Sequence, residues 1–150
     1  MSGVQTCALP ISSDGATSDY FGYSVAISGT TAIVGAYADD DNGTDSGSAY
    51  LFDTTTGTQI AKLLPSDGAG GNWFGYSVAI SGTTAIVGAY ADDDNGSSSG
   101  SAYLFDTTTG TELAKLPPSD GGTGDRFAVP VPISANTATT AEPRRAGQQS

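Results

Sequence analysis

Residues 20–65 read YFGYSVAISGTTAIVGAYADDDNGTDSGSAYLFDTTTGTQIAKLLP, and residues 73–118 repeat them as WFGYSVAISGTTAIVGAYADDDNGSSSGSAYLFDTTTGTELAKLPP. Extended to 14–66 and 67–119, the two stretches align without a gap over 53 residues. They differ at nine positions, among them Tyr20 against Trp73 and Asp45 against Ser98. A fixed period of this length marks a chain that uses one structural unit more than once. A third unit opens at Asp120 and keeps the register, with Ile133 and Ser134 where Ile27 and Ser28 stand. It is partial and degenerate, and is read as residues 120–140.

Within a unit the apolar residues fall into four short runs divided by turn chemistry, the pattern of β-strands. The first run, YSVAIS at 23–28, alternates Tyr, Val and Ile with Ser and Ala. Gly29-Thr30 then forms a two-residue hairpin with Gly at its first central position. TAIVGA at 31–36 is the second run, followed by a polar loop at 37–47. SAYLFD at 48–53 is the third, with Tyr50 and Phe52 on one face and Ala49 and Leu51 on the other. A tight turn at 54–57 places Gly57 where positive φ is needed. TQIAKLL at 58–64 is the fourth run, and Pro65 ends it.

Four strands with hairpin-length connections make an antiparallel meander, which is marginal alone. Val25 and Ile27 point to one side of it and Ala26 to the other, so both faces are apolar and both need cover. Identical sheets stacked face to face provide that cover, as in a β-propeller. The expected fold is therefore all-β: tandem four-stranded antiparallel blades of an incomplete propeller, about two and a half of them. Ser24, Ala26 and Ser28 suit the crowded strand near the propeller axis. The Gly-rich link at 66–72 leads into Phe74-Gly75, a ring to pack between blades and a glycine to let backbone pass closely. Neighbouring blades of the same parent chain are thus the first expected partners.

The two ends depart from the repeat. SGVQTCALPI at 2–11 resembles the translation of a sequencing-adapter oligonucleotide, so residues 1–11 are read as a scar outside the fold. At the other end Pro130 and Pro132 replace the residues that correspond to Ser24 and Ala26, and proline removes a ladder donor. Residues 141–150 share nothing with the unit. Either a disordered tail or a shifted reading frame accounts for them.

Composition narrows the function. The formal net charge is −11, with five Lys and Arg and no His. A basic footprint for nucleic acid is missing. No apolar run approaches the roughly 20 residues of a membrane-spanning helix. Cys7 is the only cysteine, which excludes an internal disulfide or a cysteine metal cluster.

Phe21-Gly22 with Gly35-Ala36-Tyr37, and Phe74-Gly75 with Gly88-Ala89-Tyr90, resemble the FG-GAP repeat, with Tyr in the place of the name's Pro. The third unit keeps Phe127 but has Ala128 for the glycine. The resemblance covers about residues 14–140. It implies a propeller of the kind in integrin α-subunit heads and in bacterial secreted and surface proteins. That means a secreted or cell-surface parent, a protein or glycan ligand, and calcium in some blades. The high identity, Asp- and Thr-richness and lack of cysteine in the units look more like the bacterial kind. Set against the integrin-type loop with Gly43 at its sixth position, Asp40 and Asn42 match, whereas Ala38 and Ser46 do not. In the second unit Asp93 and Asn95 match, and Ala91 and Ser99 do not.

Two readings of the acidic loops stay open. Calcium takes six to eight oxygens, and Asp39, Asp40, Asp41, Asn42 and Asp45 crowd carboxylates and an amide into one loop. Asp92, Asp93, Asp94 and Asn95 form the second candidate, weaker because Ser98 replaces Asp45. Alternatively the loops are solvated, and their Asp and Asn side chains satisfy local backbone donors.

A binding or structural module, non-catalytic, is the leading functional expectation, since no reactive constellation is present. An enzyme is the alternative. Residues 50–63, YLFDTTTGTQIAKL, resemble blades of quinoprotein dehydrogenases in their D-x-x-TG hairpin, and paired carboxylates such as Asp39 and Asp41 are the tools of glycosidases and lyases. Yet no His serves acid–base or nucleophilic chemistry, and the carboxylates recur in both units where an active site needs one asymmetric cluster. With fewer blades than a closed ring, the 150-residue chain is expected to be partly unfolded or self-associated.

Overall fold

The structure, a computed structural model, describes residues 15–127. The expectations for residues 1–11, for the third unit beyond Phe127 and for the tail at 141–150 lie outside the described residues. Within them there is no helix. Eight strands form two sheets: β1 (Ser24–Ser28), β2 (Thr31–Ala36), β3 (Ser48–Asp53) and β4 (Gln59–Leu63), then β5 (Phe74–Ser81), β6 (Thr84–Ala89), β7 (Ser101–Asp106) and β8 (Thr111–Leu116). Each sheet follows chain order with antiparallel neighbours. These are two tandem propeller blades, one per 53-residue unit.

Local chemistry sets the turns as expected. Ser28 pairs with Thr31 across Gly29, whose φ is 57°. Gly57 has φ 75°, and the Thr55 amide donates to Asp53 Oδ1 at 2.8 Å. The bounds differ from the sequence reading at the unit starts. β5 begins at Phe74, because Phe74 pairs with Ala89 across a bulge and also bridges in parallel to Gly47 of the first blade. β1 starts only at Ser24. β4 starts one residue late, beside a register shift between Leu51 and Phe52.

Alternation along the strands gives each blade two different apolar faces. One face of the second blade carries Phe74, Val78, Ile80, Ala85, Val87, Tyr103 and Phe105. It packs on Ile33, Ala49, Leu51 and Leu63 of the first blade in a single core. Phe74 is wholly buried there, its ring edge-on to Tyr103 at 5.3 Å and to Phe105 at 5.8 Å. Small residues bring the backbones together: a Cβ on Gly35 would lie 2.1 Å from Gly75 O. Ser24 Oγ donates to that same carbonyl at 2.8 Å, and the Gly82 amide donates to Ser28 Oγ at 3.1 Å. The small residues of β1 therefore face the next blade.

Candidate functional site

The acidic loops begin as backbone structures. Three successive carboxylates after β2 would repel one another in a bare loop, but each has a partner. Asp39 Oδ1 accepts from the Asp41 amide at 3.0 Å, Asp40 Oδ1 from the Asp45 amide at 2.8 Å, and Ser46 Oγ from the Asn42 amide at 3.1 Å. In the second loop Asp93 Oδ1 accepts from the Ser98 amide at 2.6 Å, and Asn95 donates through Nδ2 to Pro118 O at 2.9 Å. These are the local side chain–backbone bonds by which Asp and Asn shape turns.

Each loop also seats the next unit. Asp45 holds a left-handed φ of 55°, and its carbonyl accepts from the Trp73 amide at 3.2 Å; Ser46 O accepts from Phe74 at 3.0 Å and Thr44 O from Gly71 at 2.8 Å. One period on, Ser98 O, Ser99 O and Ser97 O accept from Arg126, Phe127 and Gly124 in the same way. Ser98 keeps the positive φ at 54°, so the Asp45 carboxylate is not what sets this conformation.

The feature unseen in the sequence is a lysine in each acidic cluster. Lys62 of β4 reaches Asp39 Oδ2 at 2.9 Å and Asp41 Oδ2 at 2.5 Å, with its Nζ 5.2 Å over the Tyr50 ring. Tyr50 donates to Asp39 Oδ2 at 2.8 Å. Burial raises the Asp39 pKa, but donation from Lys62 and Tyr50 outweighs it and holds the carboxyl below its usual range. Lys115 of β8 repeats the arrangement: it reaches Asp67 Oδ2 at 2.6 Å, Asp92 Oδ2 at 2.9 Å and Asp94. Burial lowers the Lys115 pKa, yet hydrogen bonds to Asp67, Asp94 and Asp92 raise it well above the ordinary value. Burial pushes Tyr103 up as well; it donates to Asp67 Oδ1 at 2.9 Å and Asp92 Oδ2 at 3.3 Å. The available signal was the register of one lysine per unit.

Of the candidate metal ligands, Asp39 with Asp41, and Asp92 with Asp94, are thus brought together around an ammonium group. Asp40 and Asp93 lie at exposed loop positions, Asp45 is half-buried, and Asn42 and Asn95 serve the loop backbone. No set of three or more Asp, Glu, His or Cys side chains among the described residues is gathered to hold a metal.

A second feature lies at the unit starts. Tyr20, Tyr23 and Tyr37 of the first unit and Trp73, Tyr76 and Tyr90 of the second form one continuous aromatic strip. Successive centroids are 5.2 Å apart for Tyr20–Tyr37, 4.7 Å for Tyr37–Tyr23, 5.0 Å for Tyr23–Tyr76 and 4.5 Å for Tyr76–Tyr90. Trp73 sits 5.6 Å from Tyr37 and 5.2 Å from Tyr90. The Tyr23 and Tyr76 hydroxyls are 3.0 Å apart, and that bond pushes the Tyr76 pKa up to about 12. Tyr20 and Tyr23 are more than half exposed. Arg126 stacks its guanidinium 5.1 Å over Tyr90. The strip repeats with the unit, so the aromatic positions were visible in the sequence but not their convergence.

Two stacked blades, a loop that clasps the following unit and a phenylalanine between sheets define a tandem β-propeller repeat protein. The chain belongs to the FG-GAP repeat family, whose pattern matches residues 10–52 and 58–105. No curated protein matches it. Among solved structures similar to this chain is hydrazine synthase of Kuenenia stuttgartiensis, at 16% identity and a TM-score of 0.47, with 79% of this chain covered. The chain spans 32% of the length of that one.

Proposed function

We propose that this chain is a non-catalytic propeller module of a secreted or cell-surface protein, and that it binds a protein or glycan through the aromatic strip. The supporting observation is how the polar groups are used. Both acidic clusters recur in the same form, tied to lysines and to backbone donors. The strip offers ring faces in a row, Tyr20 and Tyr23 more than half exposed, and such faces stack on sugar rings and apolar side chains at small entropic cost. Calcium has a defined place in this proposal. An ion at Asp39–Asp45 or Asp92–Asn95 must displace Lys62 or Lys115, whose ammonium already occupies Asp39 Oδ2 or Asp92 Oδ2.

Trp73 is the only tryptophan and lies in the strip, so its emission reports on ligands there. Glycan and extracellular-protein arrays are to be screened with the 150-residue chain, with and without about 1 mM calcium, the range of weak extracellular sites. The expected result is a hit that shifts Trp73 emission and is lost in Tyr23→Ala. Silence across the arrays, or a hit that Tyr23→Ala leaves intact, counts against the proposal.

A further inference from the structure

The family resemblance implies calcium in some blades, and the donor groups of the loops show whether these residues suit it. With Gly96 at the sixth position of the integrin-type loop, the first and ninth positions fall to Ala91 and Ser99. Ala91 has no side-chain oxygen. Ser99 Oγ is buried and already engaged, accepting from the Asn95 amide and donating to Asp92 O, both at 3.3 Å. At the third position Asp93 Oδ1 accepts from the Ser98 amide at 2.6 Å. A calcium loop also turns to the ion the backbone carbonyl one residue after its glycine. Here that carbonyl belongs to Ser97, and it accepts from the Gly124 amide at 2.8 Å. The first loop is alike: Thr44 O accepts from Gly71, Asp40 Oδ1 from Asp45, and Ser46 Oγ both accepts from Asn42 and donates to Asp39 O. Calcium wants six to eight oxygens, and these loops engage theirs in the turn and in seating the next unit. The residues do not fit such an ion.

The cation that the loops do hold is the chain's own. Lys115 Nζ meets Oδ2 of Asp67, Asp92 and Asp94, three acceptors for the three N–H donors of an ammonium group. It also lies 5.2 Å over the Tyr103 ring, and the lysine side chain is only 18% exposed. The other oxygen of the buried Asp92 accepts from Asn72 Nδ2 at 3.3 Å. Lys62, 14% exposed, stands in the same way against Asp39 and Asp41 and over Tyr50. These are the only two lysines of the chain, at the same place in each unit. A net charge of −11 would favour lysines in solvent, yet both are drawn in under the acidic loops.

We propose that the strand-four lysine is the resident cation of each blade, supplying the charge neutralisation that calcium would otherwise bring, so that these blades hold their acidic loops without the metal. Being tethered to the strand, the ammonium is in place at any calcium concentration.

The test compares the 150-residue chain in a chelator and in about 1 mM calcium, the range of weak extracellular sites. The parent chain is expected to melt at the same temperature in both and to give no saturable heat of calcium binding. Nitrogen-15 spectra of its two lysine ammonium groups should show two slowly exchanging signals that calcium does not move. In Lys62→Met and Lys115→Met the freed carboxylates can turn to a divalent ion. Calcium is then expected to raise the melting temperature by about 3 °C or more. A parent chain stabilised by calcium overturns the proposal, as do ammonium signals that are missing or that calcium displaces. Folded variants as indifferent to calcium as the parent overturn it too. Circular dichroism checks both variants, and the calorimetry and ammonium spectra use the parent chain, so they decide the proposal even where a variant does not fold.

Discussion

Gly47 has φ 89°, and a Cβ there would come within 2.0 Å of Phe74 O and 2.5 Å of Phe74 N, both backbone atoms that cannot swing aside. The residue is where the first blade's loop meets the first strand of the second. Gly47→Ala must therefore both adopt a left-handed backbone and push two blades apart. It should cost about 3 kcal/mol or more, combining overpacking with backbone strain. Chemical denaturation checks this, and Gly29→Ala in an open hairpin serves as the control, since its Cβ would meet nothing within 4 Å and it carries only the backbone term. Equal losses at the two glycines would show that the close approach to Phe74 contributes nothing.

At the scale of the loop, the acidic cluster and the strand four lysine form one element. Asp92 is 3% exposed and relies on Lys115, which also meets Asp67 and Asp94. Lys115→Met leaves a nearly buried carboxylate without its counter-ion. Breaking such a pair costs about 3 kcal/mol near neutral pH. Lys62→Met likewise strips the nearly buried Asp39 of its counter-ion and should carry a cost of the same order. The pH response separates lost charge pairing from lost packing. The deficit in Lys115→Met should shrink as pH falls into the carboxylate range and the cluster protonates. A deficit independent of pH would assign the lysine's contribution to its aliphatic stem over Tyr103.

For the whole molecule the same groups set the pH limits of stability. Asp39 and Asp67 titrate below the ordinary 3.8, so their contribution is present above that value and is lost as pH falls through the folded pKa. Lys115 is raised above 10.5 and Tyr103 above 10.0. Both hold their proton more tightly when folded. Their contribution is complete below those values and is lost as pH rises through the folded pKa. Thermal melts should show a plateau from about pH 5 to about 9.5 with a decline on either side. A melting temperature that climbs above pH 10 would contradict the assignment of Lys115 and Tyr103. The long-range partnership of the blades explains why these limits belong to the whole: Asp67 sits before β5 while Lys115 lies on β8, and one hydrogen bond ties the two ends of the unit.

The amino-acid sequence by itself determined the repeat, the four strands of each blade, the hairpins at Gly29 and Gly57 and the need to cover both faces. These follow from alternation and turn residues, which act over a few positions. It also identified Phe74-Gly75 as the inter-blade contact, because a large ring beside a glycine has few other uses. What Asp39, Asp41, Asp92 and Asp94 meet was decided only by the tertiary structure. Lys62 stands 21 residues from Asp41, and only the pairing of β3 with β4 brings them together. The aromatic strip is likewise a product of stacking, since Tyr23 and Tyr76 are 53 residues apart and touch only because the blades repeat side by side. Short-range order is written in neighbouring residues, whereas charge partners and surfaces arise where distant strands converge.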